Sequence, residues 1–270
     1  MYERAAATTV RPVVNPSGTY WDEIARRPDG LPDGWRRHAR RQHLALLQRW
    51  LGPLSGRWLK TDLFEEPAEH RALLPHLRSA TWVGTDLAAE VVRQAKAATA
   101  CRAAVSDVRA LPFDTGAFDG VLSTSTLDHF ADPADLARSV GEIRRVLRPG
   151  GRLVLTLDNP ANPLIRLRNA LPPRLARRTG LVPFAVGHTL AAGPGRALLE
   201  AHGFTVDAVE HLLHAPHVVG TRLARFGWYE RGVLPHLDGL ATTRAAPRTG
   251  HFVALLAVAS APNRRFDAES

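Results

Sequence analysis

Cysteine is almost absent: Cys101 stands alone among 270 residues, which excludes an intramolecular disulfide framework and a cysteine-rich zinc site. Lysine is nearly as scarce. Lys60 and Lys96 are the two lysines in a chain of formal charge +9, so its basic character is arginine scattered from end to end. Together with abundant alanine and proline, that usage resembles a GC-rich coding sequence. No arginine-rich segment alternates with aromatics as a stacking groove for nucleic acid does, and the arginines read as a solvated surface. Long apolar runs are missing as well. The most apolar late stretch, 252–261, is too short to span a bilayer, and no charged start leads into an apolar secretory leader. The expectation is a cytoplasmic protein with no transmembrane segment and no nucleic-acid partner. Its 45% hydrophobic content supports one large α/β domain with insertions, or two small domains.

One absence is local. The stretch RWLKTDLFEEP, residues 57–67, reads as a buried strand, a turn and the start of a helix. In a nucleotide-binding sheet such a turn carries glycines, which let backbone amides approach the ligand and adopt positive φ. This turn has none.

What is present alternates. Strand-like runs at 57–63, 80–85, 102–106, 118–123 and 152–157 are separated by helical runs at 67–77, 88–100 and 133–147, the pattern of right-handed crossovers in a parallel sheet. The last helix has the clearest signature: Asp132 as cap, Pro133 in the first turn, and Leu136, Val140, Ile143 and Leu147 on one face. Upstream, residues 1–30 read as an extended or mobile arm, and Asp33 as the cap of a helix running to the Gly52-Pro53 stop. Downstream come a short helix at 197–201, a strand near 204–212 and a final strand in HFVALLAVA, which together suggest an antiparallel edge pair. Gly193-Pro194-Gly195 follows no strand and reads as a helix entry, not a phosphate loop. The boundaries are an arm and covering helix at 1–55, a main domain at 56–260 with lid insertions at 158–192 and 213–250, and a tail at 261–270.

Three segments, TWVGTDLAAEVVRQA, SDVRALPFDTGAFDGVLSTSTLDHF and EIRRVLRPGGRLVLTL, in this order and spacing, resemble the class I S-adenosylmethionine-dependent methyltransferases of the type 11 kind. The resemblance covers roughly residues 55–260. It implies a Rossmann-like α/β fold with a seven-stranded, mostly parallel sheet and an antiparallel last strand. It also implies S-adenosylmethionine as cofactor and a small-molecule acceptor.

In an open α/β sheet, ligands sit beyond the carboxyl ends of the strands, where strand order reverses. Asp86, with Leu87 beside it, falls where the family's acidic residue takes the ribose hydroxyls, although it could equally cap the next helix. Asp107 and the Val108 amide fall where the family reads the adenine edge. Ser123 and Thr124 begin a run of four small polar residues, unlike the apolar interior of a buried parallel strand, and the resemblance sets them beside the methionine end and the acceptor. His129 matches a histidine often found there. Imidazole suits a general base, while the bland reading is a loop-bracing histidine. Asp128 is a weaker catalytic candidate.

At the glycine-free turn, Lys60 aligns with the acidic start of the family's first motif, and Asp62 and Phe64 with its glycines. Side chains would then replace the backbone: Lys60 pairing with the methionine carboxylate, Asp62 or Glu65 holding its amino group, Thr61 between them. The alternative is a Lys60–carboxylate bridge that is purely internal, since a charged side chain in a central strand demands a partner. The leading functional expectation is methyl transfer to an apolar or amphipathic small molecule, one that could carry a carboxylate or phosphate. The alternative is a protein of the same fold without methyl transfer, a scaffold or binding subunit or a catalyst of another reaction.

Overall fold

The computed structural model describes residues 17–26, 32–99, 101–171 and 186–261. Seven strands form one sheet: β1 (Arg57–Lys60), β2 (Thr81–Asp86), β3 (Arg102–Val105), β4 (Phe118–Thr124), β5 (Leu147–Asp158), β6 (Phe204–Leu212) and β7 (Phe252–Ala259). Their order is β3-β2-β1-β4-β5-β7-β6. The first five pair in parallel, and β7 runs antiparallel to both β5 and β6. This is the expected sheet, with β6 and β7 as its antiparallel edge pair: β7 lies between β5 and β6, and β6 is outermost. The chain winds outward from β1 to β3 and then returns to β4 on the other side of β1. That reversal opens a crevice at the strands' carboxyl ends.

Helices α1 (Gly18–Ala25), α2 (Asp33–Leu51), α3 (Ala89–Ala98), α4 (Pro133–Val146), α5 (Pro163–Ala170), α6 (Ala192–Ala201) and α7 (His217–Leu223) surround the sheet. One core packs Val91, Val92 and Ala95 of α3 with Trp58, Trp82 and Leu46 and Leu47 of α2. The other packs Leu136, Val140 and Ile143 of α4 against Val121, Leu153 and Leu155. The α4 start is as read: Asp132 Oδ1 accepts the Ala134 amide at 2.8 Å, with Pro133 in the first turn. Gly193-Pro194-Gly195 opens α6. The sheet also needs two glycines. A Cβ on Gly120 would meet the Trp58 ring at 2.5 Å, and one on Gly84 would meet the Leu63 side chain at 2.6 Å.

Three expectations are corrected. Part of the supposed arm is α1, an amphipathic helix whose Ser17 side chain caps it by accepting the Tyr20 amide; residues 1–16 and 27–31 lie outside the described set. Asp33 does not cap α2. Pro32 holds the cap position, and Asp33 pairs instead with Arg36 at 2.9 Å. The helix expected at 67–77 does not form: turns lead to a single 3-10 turn, Leu74–His76. Pro67 and Pro75 each lack an amide donor, and the buried Glu66 carboxylate takes the Leu73 and Leu74 amides at 3.3 and 3.1 Å. Of the expected insertions, residues 172–185 lie outside the described set, and helices α5 and α7 contribute residues to the crevice. No described helix is long and apolar enough to cross a membrane.

Candidate functional site

A cavity of about 450 Å³ opens at the carboxyl ends of β1, β2, β4 and β5, within the size range of small-molecule sites. Thr61, Asp62 and Glu65 from the turn after β1 line it. So do Asp86 and Leu87 after β2, Asp107 and Val108 after β3, and Thr124 and His129 after β4. Lys60, Ser123 and Asp128, singled out with them, are not brought to the wall.

Lys60 points beneath the turn. Its Nζ donates to the Asp62 carbonyl and sits 3.4 Å from Glu66 Oε1 and 3.8 Å from Asp62 Oδ2. Burial alone would lower the ammonium pKa, but the Asp62, Glu66 and Glu65 carboxylates outweigh it and hold the pKa above the ordinary lysine value. Both partners are buried, Lys60 at 1% exposure and Glu66 at 1%, so the pair is an internal bridge beneath the turn. Three of the turn's amides are occupied too. Thr61 N donates to Leu122 O at 3.2 Å, Leu63 N to Asp86 Oδ2 at 3.0 Å and Phe64 N to Asp62 Oδ1 at 2.8 Å. Leu63 itself is a buried plug seated over Gly84. This turn lines the cavity with Thr61, Asp62, Phe64 and Glu65, and Arg71 stands on the same wall 3.1 Å from Glu65.

Asp86 braces the turn from the next strand. Its Oδ1 accepts the Ala88 amide at 2.9 Å while Oδ2 accepts that of Leu63, so it is a cap and a cavity residue at once. Burial, then the neighbouring Asp62 charge, push its carboxyl up to about 7. A carboxylate offers about four acceptor positions, and two remain for a ligand. Asp107 is pinned by the Arg109 amide at 2.9 Å and by its guanidinium at 2.6 Å. Burial alone would raise the Asp107 carboxyl, but the Arg109 bonds outweigh it and hold it low. The Val108 amide beside it donates to none of the described residues.

The polar run after β4 divides. Ser123 is fully buried and accepts a hydrogen bond from Thr61 Oγ1 at 2.9 Å, tying β4 to β1. Thr124, Ser125 and Thr126 reach the cavity. Ser125 adopts φ +50°, held by its amide on Thr156 O and Oγ1 at 3.0 and 3.1 Å. Asp128 Oδ2 accepts from Ser125 Oγ at 3.1 Å and from the Asp158 amide at 2.9 Å. Burial, then Asp158, raise its carboxyl. It lies behind the wall and locks the strained turn. His129 stays at the surface of the cavity, its ring edge-on to Trp21 of α1 at 4.8 Å.

Sequence reasoning missed several lining residues. Trp21 lay in the supposed arm, and Arg71 in the supposed helix. Asp158, Arg168, His217 and His251 form a polar group at the far end of the cavity. Asp158 had a legible signal, a carboxylate ending a strand as Asp86 does. The histidines come from segments after the crossovers, where no periodicity points to the crevice.

Comparison with known proteins agrees with this fold. Residues 68–155 match the family model described as a methyltransferase domain. A demethylmenaquinone methyltransferase of Thermus thermophilus is 47% identical over 58 residues, covering 22% of this chain and 24% of that protein. An uncharacterized 37.1 kDa protein from a Streptomyces fradiae transposon is 39% identical over 90 residues, covering 29% and 25%. The chain thus spans about a quarter of the length of these curated relatives. Among solved structures, a chain of the complex between the Haloferax volcanii Trm112 methyltransferase activator and a methyltransferase superposes with TM-score 0.59, at 16% identity over 89% of this chain and 98% of that one. The [4+2]-cyclase SpnF superposes with TM-score 0.54, at 17% identity over 83% and 81%. At these identities the structures share the fold.

Proposed function

We propose that the class I S-adenosylmethionine-dependent methyltransferase domain this chain carries transfers a methyl group to an apolar small molecule. The observation that carries the proposal is one continuous cavity with two unlike ends, both on the carboxyl side of the sheet. At one end Asp86 has acceptor capacity for two ribose hydroxyls, and the open Val108 amide beside Asp107 suits an adenine edge. At the turn the fit is by side chain. Asp62 and Glu65 suit an amino group and Arg71 a carboxylate, in place of the backbone contacts a glycine loop makes. S-adenosylmethionine, when bound, supplies an activated methyl group on a sulfonium, so the protein's task is alignment and removal of the acceptor's proton.

The other end is lined by Trp35, Ile165, Leu213, Ala215 and Phe252, which favours an apolar acceptor. The relative named for demethylmenaquinone is consistent with an apolar ring. A second reading, the fold retained without methyl transfer, draws on the occupied amides of the first turn and on the likeness to a cyclase.

The two readings part on a thermal-shift experiment. Ligand held by the native state alone adds about 2.7 kcal/mol of stability at a hundredfold excess over Kd. S-adenosylmethionine is expected to raise the wild-type melting temperature by several degrees, and Asp86→Asn to lose most of that rise. An unchanged melting temperature at millimolar ligand favours the reading without methyl transfer.

A further inference from the structure

The far end of the cavity carries a built acid–base pair. Asp158 ends β5, where its Oδ2 is bound by Arg168 of α5 and its Oδ1 lies 3.4 Å from His251 Nε2. Residue 251 immediately precedes β7. Its amide is held by the Leu212 and Leu213 carbonyls at 2.8 and 3.1 Å, and its carbonyl takes the Asn159 amide at 2.9 Å. The imidazole therefore stands on sheet ends, not on a loop. Burial would raise the Asp158 carboxyl, but His251 and Arg168 outweigh it and keep it far below the usual carboxylate range.

An ionised carboxylate facing Nε2 at 3.4 Å favours a proton on that nitrogen, and in the neutral ring the lone pair is then on Nδ1. His217 of α7 tilts across the His251 ring at 5.2 Å. Burial, then His251, push its pKa down to about 3, so it stays neutral and takes up no proton. Two further titratable groups act on this cluster: Arg71, across the cavity, and Asp128, whose Oδ2 accepts the Asp158 amide and whose carboxyl is raised by the Asp158 charge. Arg168 is committed to Asp158. This end consequently offers a base, and not the anion-binding charge that an acceptor with a carboxylate or phosphate would need.

We propose that His251, positioned by Asp158, takes the proton of a weakly acidic hydroxyl, and that the acceptor class is a phenol or enol on an apolar body. The proposal rests on the methyl-transfer reading and names its acceptor. The O–H bond breaks with its proton passing to His251 Nδ1. The electron pair left on oxygen, or delocalised onto the ring carbon beside it, forms the new bond to the methyl carbon. The pair of the broken sulfur–carbon bond stays on sulfur. A phenol, with a pKa of about 10, is within reach of an imidazole base, whereas an aliphatic alcohol is far too weak an acid to yield its proton to one.

The test uses 4-nitrophenol, whose phenolate absorbs in the visible, titrated into the full-length protein without cofactor across pH. Wild type is expected to bind the probe as phenolate at a pH roughly one unit below that of free probe, about tenfold more phenolate at equal pH. His251→Gln should abolish the shift. Asp158→Asn should move the pH profile of the bound probe upward, which a merely structural aspartate would not do. An unaltered profile in His251→Gln overturns the proposal, and so does failure of wild type to bind at millimolar probe. Histidine 15N resonances of wild type keep it falsifiable should the variants not fold: Nε2 protonated and Nδ1 bare is expected, and the opposite tautomer refutes it. S-adenosylmethionine thermal shifts on the same samples separate the two claims. A normal cofactor shift with no probe shift rejects this site alone, and the reverse rejects the cofactor reading alone.

Discussion

Lys60 is the residue at which sequence and structure differ most instructively. Its rarity and its place in a central strand said that it needed a carboxylate, and that much was legible. Which carboxylate was not, because the choice depends on Glu66 folding inward to hold the Leu73 and Leu74 amides. Removing one partner of a buried pair leaves the other charge uncompensated, at about 3–5 kcal/mol. Lys60→Met is accordingly expected to lower stability by that order in urea unfolding, and adding Glu66→Gln should recover part of the loss. Asp86 makes a different prediction. Its carboxyl, pushed up to about 7 in the folded chain from about 3.9 when unfolded, retains a proton that the unfolded state gives up. That contribution to stability is present below pH 4 and lost as pH rises toward 7. Asp86→Asn, which carries no such proton, should therefore gain on wild type across that window and level off above it, read from denaturant midpoints at each pH.

The elements best read were those whose signals are local. Helix α4 announced itself by Asp132, Pro133 and a clean apolar face, and five strands by their alternation with helices. The crossover after β1 was misread. A carboxylate reaching back to cap two amides seven and eight residues on is tertiary chemistry, invisible to a 3.6-residue period. That crossover is also where the site is built, since Leu63 rests on Gly84 and lends its amide to Asp86. Gly84→Val should displace Leu63, costing about 1–3 kcal/mol as overpacking does. It should also weaken S-adenosylmethionine by loosening Asp86, whereas overpacking far from the site would change stability alone. Calorimetry beside urea unfolding distinguishes these.

At the scale of the whole molecule, a parallel sheet with a crevice at its carboxyl ends followed from the alternation, but the strand order and the cavity's closure did not. Helix α1 crosses the Asp86–Leu87 side of the cavity, where Asp22 accepts the Glu90 amide at 2.8 Å and Gly18 passes so close to Leu87 that a Cβ would meet its carbonyl oxygen at 2.6 Å. Gly18→Val should lift α1 and with it Trp21, weakening cofactor affinity about tenfold while leaving the unfolding midpoint of the sheet nearly unchanged. The far end is closed by residues contributed after the crossovers, His217 and His251, which no run of the sequence links to Asp158.

The central claim is that side chains do at the first turn what glycine amides do elsewhere. Calorimetric titration of the wild-type protein with S-adenosylmethionine, with adenosine titrated in parallel, tests it directly. The account predicts micromolar binding of the cofactor and much weaker binding of adenosine, the difference being the contacts of Asp62, Glu65 and Arg71. Equal affinity for the two, or no heat from either at millimolar concentration, would contradict it.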